Sequence, residues 1–108
     1  MTFNKILTMV RKTAAVTDIS GIDFLAVQVN LTGENGGVFY VEVKDGRVNV
    51  EPYDYHDRNC AVTISGDDFV KLANGKLDPV DAFNKGILHV DGDLGKAMQF
   101  ASVVKKQY

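Results

Sequence analysis

The densest group of side chains that could do chemistry is a short polar segment, Y-D-Y-H-D at residues 53–57. Its imidazole and carboxylates could bind a metal ion, or one of them could act as a general base. A metal site needs a third or fourth ligand at a fixed spacing. His89, the other histidine, is expected on the opposite side of a later strand. We therefore interpret residues 53–59 as an exposed crossover loop.

Two further features carry reactive groups but lack the partners that chemistry requires. Cys60 lies near Arg58, yet no histidine is placed to act as its base, so we predict a small buried or half-buried side chain at the start of a strand. The run G-D-L-G-K-A, residues 92–97, lacks the phosphate-loop spacing and places Asp93 where a phosphate would lie. No Ser-His-Asp or paired-carboxylate motif is visible. The sequence therefore predicts a protein that is not an enzyme, with no cofactor and no metal.

Composition narrows the choice of partners and compartments. The chain has 108 residues, of which 45% are hydrophobic and 24% are charged, so we expect one domain over residues 1–108. Its net charge is −2, and its basic residues are scattered among the acidic ones, which argues against a nucleic-acid partner. One cysteine, no signal peptide and no bilayer-spanning apolar run predict a cytoplasmic protein without a transmembrane segment. Transient membrane contact stays open.

Periodicity indicates the elements of the first half of the chain. Apolar residues at helical spacing predict an amphipathic helix over residues 2–16. Residues 23–32, 38–44 and 47–51 alternate between apolar and polar types, which predicts three antiparallel strands. The first of these strands is the longest and is expected at the centre of the sheet. A further strand is expected at residues 61–65, after the crossover loop.

Start and stop signals mark the second half. Ser65 and Asp78, each followed three residues later by an aspartate, predict the capped starts of two short helices, and a glycine closes each helix. Residues 87–90 are short and apolar, which predicts the last strand. A final helix is predicted from residue 93 to about residue 107.

The second half also carries a family pattern. The run N-G-K-L-D-P-V-D-A-F-N-K-G-I-L-H-V-D-G-D-L-G-K-A-M, residues 74–98, resembles the sterol carrier protein type-2 (SCP-2) lipid-binding domain. Weaker likeness covers F-Y-V-E-V-K-D-G-R-V-N-V, residues 39–50. The resemblance implies an α+β fold with a five-stranded mixed sheet in the order 3-2-1-4-5 and helices packed on one face. It also implies a non-catalytic carrier that shields a fatty acid, fatty acyl-CoA or sterol-like lipid in a hydrophobic tunnel between the sheet and the C-terminal helices.

The last predicted helix is apolar over more of its circumference than packing on one sheet requires. The excess could pack on the first helix, bind a protein or line a lipid site. Together with the tunnel that the resemblance implies, periodicity selects these lining residues: Val41, Phe69, Leu72, Phe83, Leu88, Leu94, Met98, Ala101 and Val104. Small alanines beside a flexible methionine suit a lining that leaves room and adapts its shape.

A second interpretation is a protein-interaction or dimerisation module of the same fold, with a closed core and no lipid cargo. With either interpretation a homodimer could form through an exposed apolar stripe made by Phe100, Val103 and Tyr108, and in a carrier the second subunit would close a tunnel mouth that is otherwise open. The sequence alone leaves both interpretations open.

Overall fold

A computed structural model describes residues 1–105 and contains a five-stranded mixed sheet. Its strands are β1 (Phe24–Thr32), β2 (Gly37–Lys44), β3 (Arg47–Glu51), β4 (Cys60–Ser65) and β5 (His89–Gly92). They lie in the order β3-β2-β1-β4-β5. β1, β2 and β3 form an antiparallel meander, while β4 runs parallel to β1 and antiparallel to β5. The structure confirms the predicted strand order and the central position of the first strand.

Within residues 1–105, four helices cover one face of this sheet. They are α1 (Phe3–Val16), α2 (Gly66–Ala73), α3 (Pro79–Asn84) and α4 (Leu94–Val104). Alternate side chains of the strands point toward them and form one core with the apolar stripes of the helices. The largest fully buried side chains are Phe39, Phe69, Ile6, Leu25, Ile64, Val10, Val27, Val29, Val41, Val43, Val62 and Val103. The end of α1 is tied to α4, because the Thr17 hydroxyl donates to the Val103 carbonyl at 3.0 Å.

Each helix begins at a side-chain cap. Thr2, Ser65, Asp78 and Asp93 each accept a hydrogen bond from the backbone N–H three residues further on, at 3.3, 3.1, 3.0 and 3.0 Å. Such caps satisfy N–H groups that have no partner inside the helix. The two capping signals at residues 65 and 78 are therefore confirmed as helix starts.

The last strand lies two residues later than the sequence indicated, at His89–Gly92 instead of residues 87–90. Ile87 and Leu88 both donate their backbone N–H to the Ala82 carbonyl, at 2.9 and 3.1 Å, and so finish the turn that ends α3. They are therefore not available to the sheet. Gly92 extends the strand instead and adopts a φ of 112°, where a Cβ would lie 2.7 Å from a backbone oxygen.

The final helix ends earlier than predicted. α4 stops at Val104, because Lys105 adopts an extended conformation with φ −69° and ψ 129°. The predicted continuation to about residue 107 was therefore wrong at Lys105. The last predicted helix residues, 106 and 107, lie outside the described part of the chain, and so does Tyr108 of the predicted stripe.

Candidate functional site

A groove of about 500 Å³ opens between α2, α3 and α4 on the helical side of the molecule. Its apolar wall consists of Leu72, Leu77, Pro79, Met98 and Ala101. Its rim carries Gly75, Lys76, Asp78, Asp81, Ser102 and Lys105. Small-molecule sites are usually apolar with a few polar groups. This groove combines such an apolar wall with a strongly polar rim, so it suits a ligand with an apolar part and a polar part.

The turn between α2 and α3 shapes one side of the groove. α2 ends at Ala73, and Gly75 adopts a φ of +76° that glycine alone adopts without strain. The backbone N–H groups of Lys76 and Leu77 then donate to the Lys71 carbonyl at 2.8 and 3.2 Å. This closure folds the chain back and brings Leu77 to the groove just before α3 begins.

α4 forms the opposite side. Met98 and Ala101 are three residues apart, so both lie on one face of the helix. Ala101 is buried and Met98 is half-buried. The alanine leaves the space between the helices open, and the unbranched methionine can change rotamer to suit what enters.

The groove brings together three of the nine predicted lining residues, Leu72, Met98 and Ala101. Four others are buried in the adjoining core: Val41, Phe69, Leu88 and Val104. Phe83 and Leu94 lie at the surface, where their side chains are 37% and 43% exposed. Sequence reasoning missed Leu77 and Pro79 as wall residues, although both lie in the run of residues 74–98 that carries the family resemblance.

The polar segment at residues 53–57 is an exposed loop, as predicted, except for Tyr55, whose side chain is half-buried against the sheet face opposite the helices. The Tyr55 N–H donates to the Gln28 side chain at 3.1 Å, its hydroxyl donates to Glu42, and its ring meets Tyr40 edge-on at 5.1 Å. The hydrogen bond between the Tyr55 hydroxyl and the Glu42 carboxylate lowers the pKa of Glu42 and raises the pKa of Tyr55 to about 12. Within residues 1–105, no group of three His, Cys, Asp or Glu side chains could hold a metal ion.

The other two reactive-looking features are also structural. Cys60 is only 2% exposed, and burial together with the charge of Asp93 raises the pKa of its thiol to about 11. Its thiol is therefore protonated near neutral pH and is a poor nucleophile. Lys96 donates its ammonium to the Phe24 carbonyl at 2.9 Å, so it ties α4 to β1 instead of facing an anion.

The predicted dimer stripe does not form an exposed surface. Phe100 and Val103 are 2% and 1% exposed, because α4 packs into the core between the sheet and α1. The prediction of an exposed stripe through these two residues was therefore wrong. In the described part of the chain, no helix combines the length and the apolar character needed to cross a membrane.

The order of the strands and the helical groove define a sterol-carrier-like α+β domain. The family model of the SCP-2 sterol transfer family matches residues 3–105, and the chain belongs to that family. Sterol carrier protein 2 of Homo sapiens is 32% identical over 88 residues, which cover 82% of this chain and 16% of the relative. Hydroxysteroid dehydrogenase-like protein 2 of Bos taurus is 34% identical over 82 residues, which cover 73% of this chain and 19% of the relative. The chain thus spans less than a fifth of each of these relatives.

Solved structures show the same fold. The crystal structure of Sterol Carrier Protein 2 Like 2 from Aedes aegypti superposes with a TM-score of 0.72 at 19% identity, covering 93% of this chain and 94% of that one. The solution structure of palmitated SCP2L2 from Aedes aegypti gives a TM-score of 0.73 at 19% identity over the whole of both chains.

Proposed function

We propose that this protein binds one long-chain lipid in the groove between α2, α3 and α4 and carries it without chemical change. The observation that carries the proposal is the apolar wall formed by Leu72 of α2, Leu77 of the following turn, and Met98 and Ala101 of α4. Membership of the SCP-2 sterol transfer family supports the general class of lipid binding or transfer. The palmitated relative with the same fold supports a fatty acyl chain as the first ligand to test.

The size of the groove fits this class of ligand. A volume of about 500 Å³ lies within the range of about 300–1,000 Å³ that is usual for small-molecule sites. Each methylene that leaves water contributes about 0.8 kcal/mol. Burial of part of a long acyl chain is therefore enough for binding, and no catalytic side chain is needed.

Deeper burial of an acyl chain would require the core beside the groove to open, because its side chains are fully packed and do not line the groove. Phe69 lies in α2, the helix that contributes Leu72 to the groove, and its fully buried ring packs edge-on against Phe39 with ring centroids 5.8 Å apart. An acyl chain that entered between the helices and the sheet would contact the predicted lining residues Val41, Phe69, Leu88 and Val104. The lining role of Phe83 and Leu94 stays a prediction, since both side chains are exposed.

The rim indicates how a lipid would be oriented. Lys76 and Lys105 lie at the mouth of the groove with Asp78 and Asp81, whereas the wall is apolar. A fatty acid or fatty acyl-CoA would place its tail on the wall and its anionic head at the polar rim, because charge stays in water while methylenes leave it. A sterol-like lipid would lack that anchoring charge.

The remaining parts of the proposal concern the context of the protein. We further propose that residues 1–108 form one carrier domain, which acts in the cytoplasm and catalyses no reaction. The buried free thiol of Cys60 is compatible with a reducing compartment. The hydroxysteroid dehydrogenase-like relatives are much longer than this chain, so we do not assign a dehydrogenase activity to it.

Native mass spectrometry of the freshly purified protein, compared with the mass after denaturation, tests the proposal. We expect an adduct of one lipid that disappears on unfolding, and its fragmentation would identify the cargo. A bare protein that also fails to take up added palmitate, palmitoyl-CoA or cholesterol would refute the carrier function. That result would favour the interaction module with a closed core.

A further inference from the structure

The free edge of the sheet at β3 has a regular pattern of backbone groups that face outward. The two-residue turn Asp45-Gly46 makes Lys44 and Arg47 a hydrogen-bonded pair of the hairpin. Hydrogen-bonded and non-hydrogen-bonded pairs alternate along an antiparallel ladder, so Val48 and Val50 turn their N–H and C=O groups away from β2. The Val50 carbonyl indeed accepts a hydrogen bond from outside the sheet, from the Arg11 Nε at 3.0 Å.

Space for another chain lies beside this edge. A cleft of about 480 Å³ runs between α1 and β3. It is lined by Arg11, Ala14, Ala15, Thr17, Ile19, Gly46, Val48, Asn49, Val50 and Glu51. Ala14 and Ala15 of α1 are small, but Arg11 reaches the Val50 carbonyl and Val50 is only 6% exposed, so a partner strand has to displace Arg11 at that end of the edge. Unpaired strand edges pair readily with another strand.

We propose that this edge pairs with the same edge of a second copy of the chain, in an antiparallel arrangement centred on Asn49. The sequence of β3 is R-V-N-V-E. In this register Val48 of one copy donates its N–H to the partner's Val50, and Val50 donates to the partner's Val48. The twofold axis repeats both bonds, and the two sheets become one continuous sheet.

Charge complementarity selects this occupant and this direction. Arg47 and Glu51 lie at the two ends of β3, and their side chains are on the same face because they are an even number of residues apart. Antiparallel pairing places Arg47 opposite the partner's Glu51 at both ends. Parallel pairing in register would place like charges together, which is destabilising. A strand that is its own electrostatic complement is suited to a second copy of itself.

Arg11 is the group that competes with the partner. In the single copy it caps the Val50 carbonyl and forms an ion pair with Glu51 at 3.5 Å, with 46% and 45% of the two side chains exposed. An ion pair this exposed is weak. The partner's N–H can therefore replace the guanidinium, which is then free to stay with a carboxylate at the interface.

This surface is separate from the lipid groove and does not depend on the proposed function. The cleft beside β3 is lined by α1 and β3, whereas the groove is lined by α2, α3 and α4. Both sites can be occupied at once. The dimer inferred here also differs from one built on Phe100 and Val103, which the fold buries.

Sedimentation velocity over a series of protein concentrations tests the pairing. We expect a monomer–dimer equilibrium in the wild type. Arg47→Glu and Glu51→Arg, each alone, should weaken the dimer about tenfold because each creates like-charge pairs at both ends of the interface. The double variant should restore it. Lys5→Glu, an exposed charge reversal on α1, should change nothing.

A backbone variant gives an independent check. Val48→Pro removes an outward N–H, which an edge strand tolerates, and should abolish the dimer while circular dichroism and the melting temperature stay close to wild type. Arg11→Ala frees the Val50 carbonyl and should tighten the dimer. A monomer at every concentration, a dimer unaffected by Val48→Pro, or a double charge variant that fails to recover would overturn the proposal.

Discussion

Two opposite substitutions at neighbouring positions of α4, Met98→Gln and Gln99→Met, give the sharpest test of the lipid proposal. Met98→Gln replaces a groove side chain with a polar one of similar length and similar helix propensity. The new amide would face the acyl chain without a hydrogen-bond partner, which costs about 1–3 kcal/mol. Met98 is only half-buried, so the lower part of this range applies. Since about 1.4 kcal/mol corresponds to tenfold in affinity, we expect the dissociation constant to rise about tenfold.

The matched control is the reverse change at the next position. Gln99 is also half-buried but is not among the groove residues, so Gln99→Met should leave lipid affinity unchanged. The assay is the displacement of a fluorescent fatty acid by palmitate. The chain contains no tryptophan, which keeps the background low. Wild-type affinity in Met98→Gln, or an equal loss in both variants, would refute the assignment of the groove as the lipid site.

Three further predictions concern stability. Phe69→Ala should lower the free energy of unfolding by about 3–5 kcal/mol in urea denaturation, because the ring is fully buried; a loss below about 1 kcal/mol would contradict the packing described. Asp78→Ala should cost about 1 kcal/mol by removing the cap of α3, and Asp78→Asn should keep most of the stability. Tyr55→Phe should matter most near neutral pH. The hydrogen bond lowers the pKa of Glu42 from 4.5, so its contribution is present above that value and is lost as pH falls through the lowered pKa. It raises the pKa of Tyr55 from 10.0 to about 12, so the contribution is also lost as pH rises through that range. A stability difference between wild type and Tyr55→Phe that does not change with pH would contradict this.

Most of the fold could be predicted because local signals and the tertiary structure agree. The alternation in β1, the Asp45-Gly46 turn and the caps at Ser65 and Asp78 each determine an element without help from distant residues. The family resemblance supplied the strand order, which places β1 beside β4, and the structure shows that this pair is parallel. That pairing has no local signature, because it joins residues such as Val27 and Cys60 across a long connection.

The errors arose where two elements compete for the same residues. Ile87 and Leu88 have the apolar character of a strand, but both N–H groups complete the turn after α3. Phe100 and Val103 were predicted to form an exposed apolar stripe, because helical periodicity does not show how many neighbouring elements pack against a helix. α4 contacts the sheet and also α1, so the fold uses that surface internally.

The candidate site was predictable only in part for a related reason. A groove wall is made by side chains that three helices bring together, and the sequence gives the apolar face of each helix but not the angles between them. Met98 and Ala101 were identified because they share one helix face. Leu77 was missed because it lies in a turn, where helical periodicity does not apply.

The position of α4 also determines when the domain is completed during synthesis. The meander of β1, β2 and β3 uses only neighbouring parts of the chain and can form early, whereas β4 must leave the ribosome before the centre of the sheet is paired on both sides. The apolar face that α4 covers stays exposed until Leu94–Val104 emerges, after every other helix and strand of residues 1–105. The nascent chain is most prone to aggregate during that interval. Since one wall of the groove belongs to α4, the ability to hold a lipid is acquired in the final step of folding.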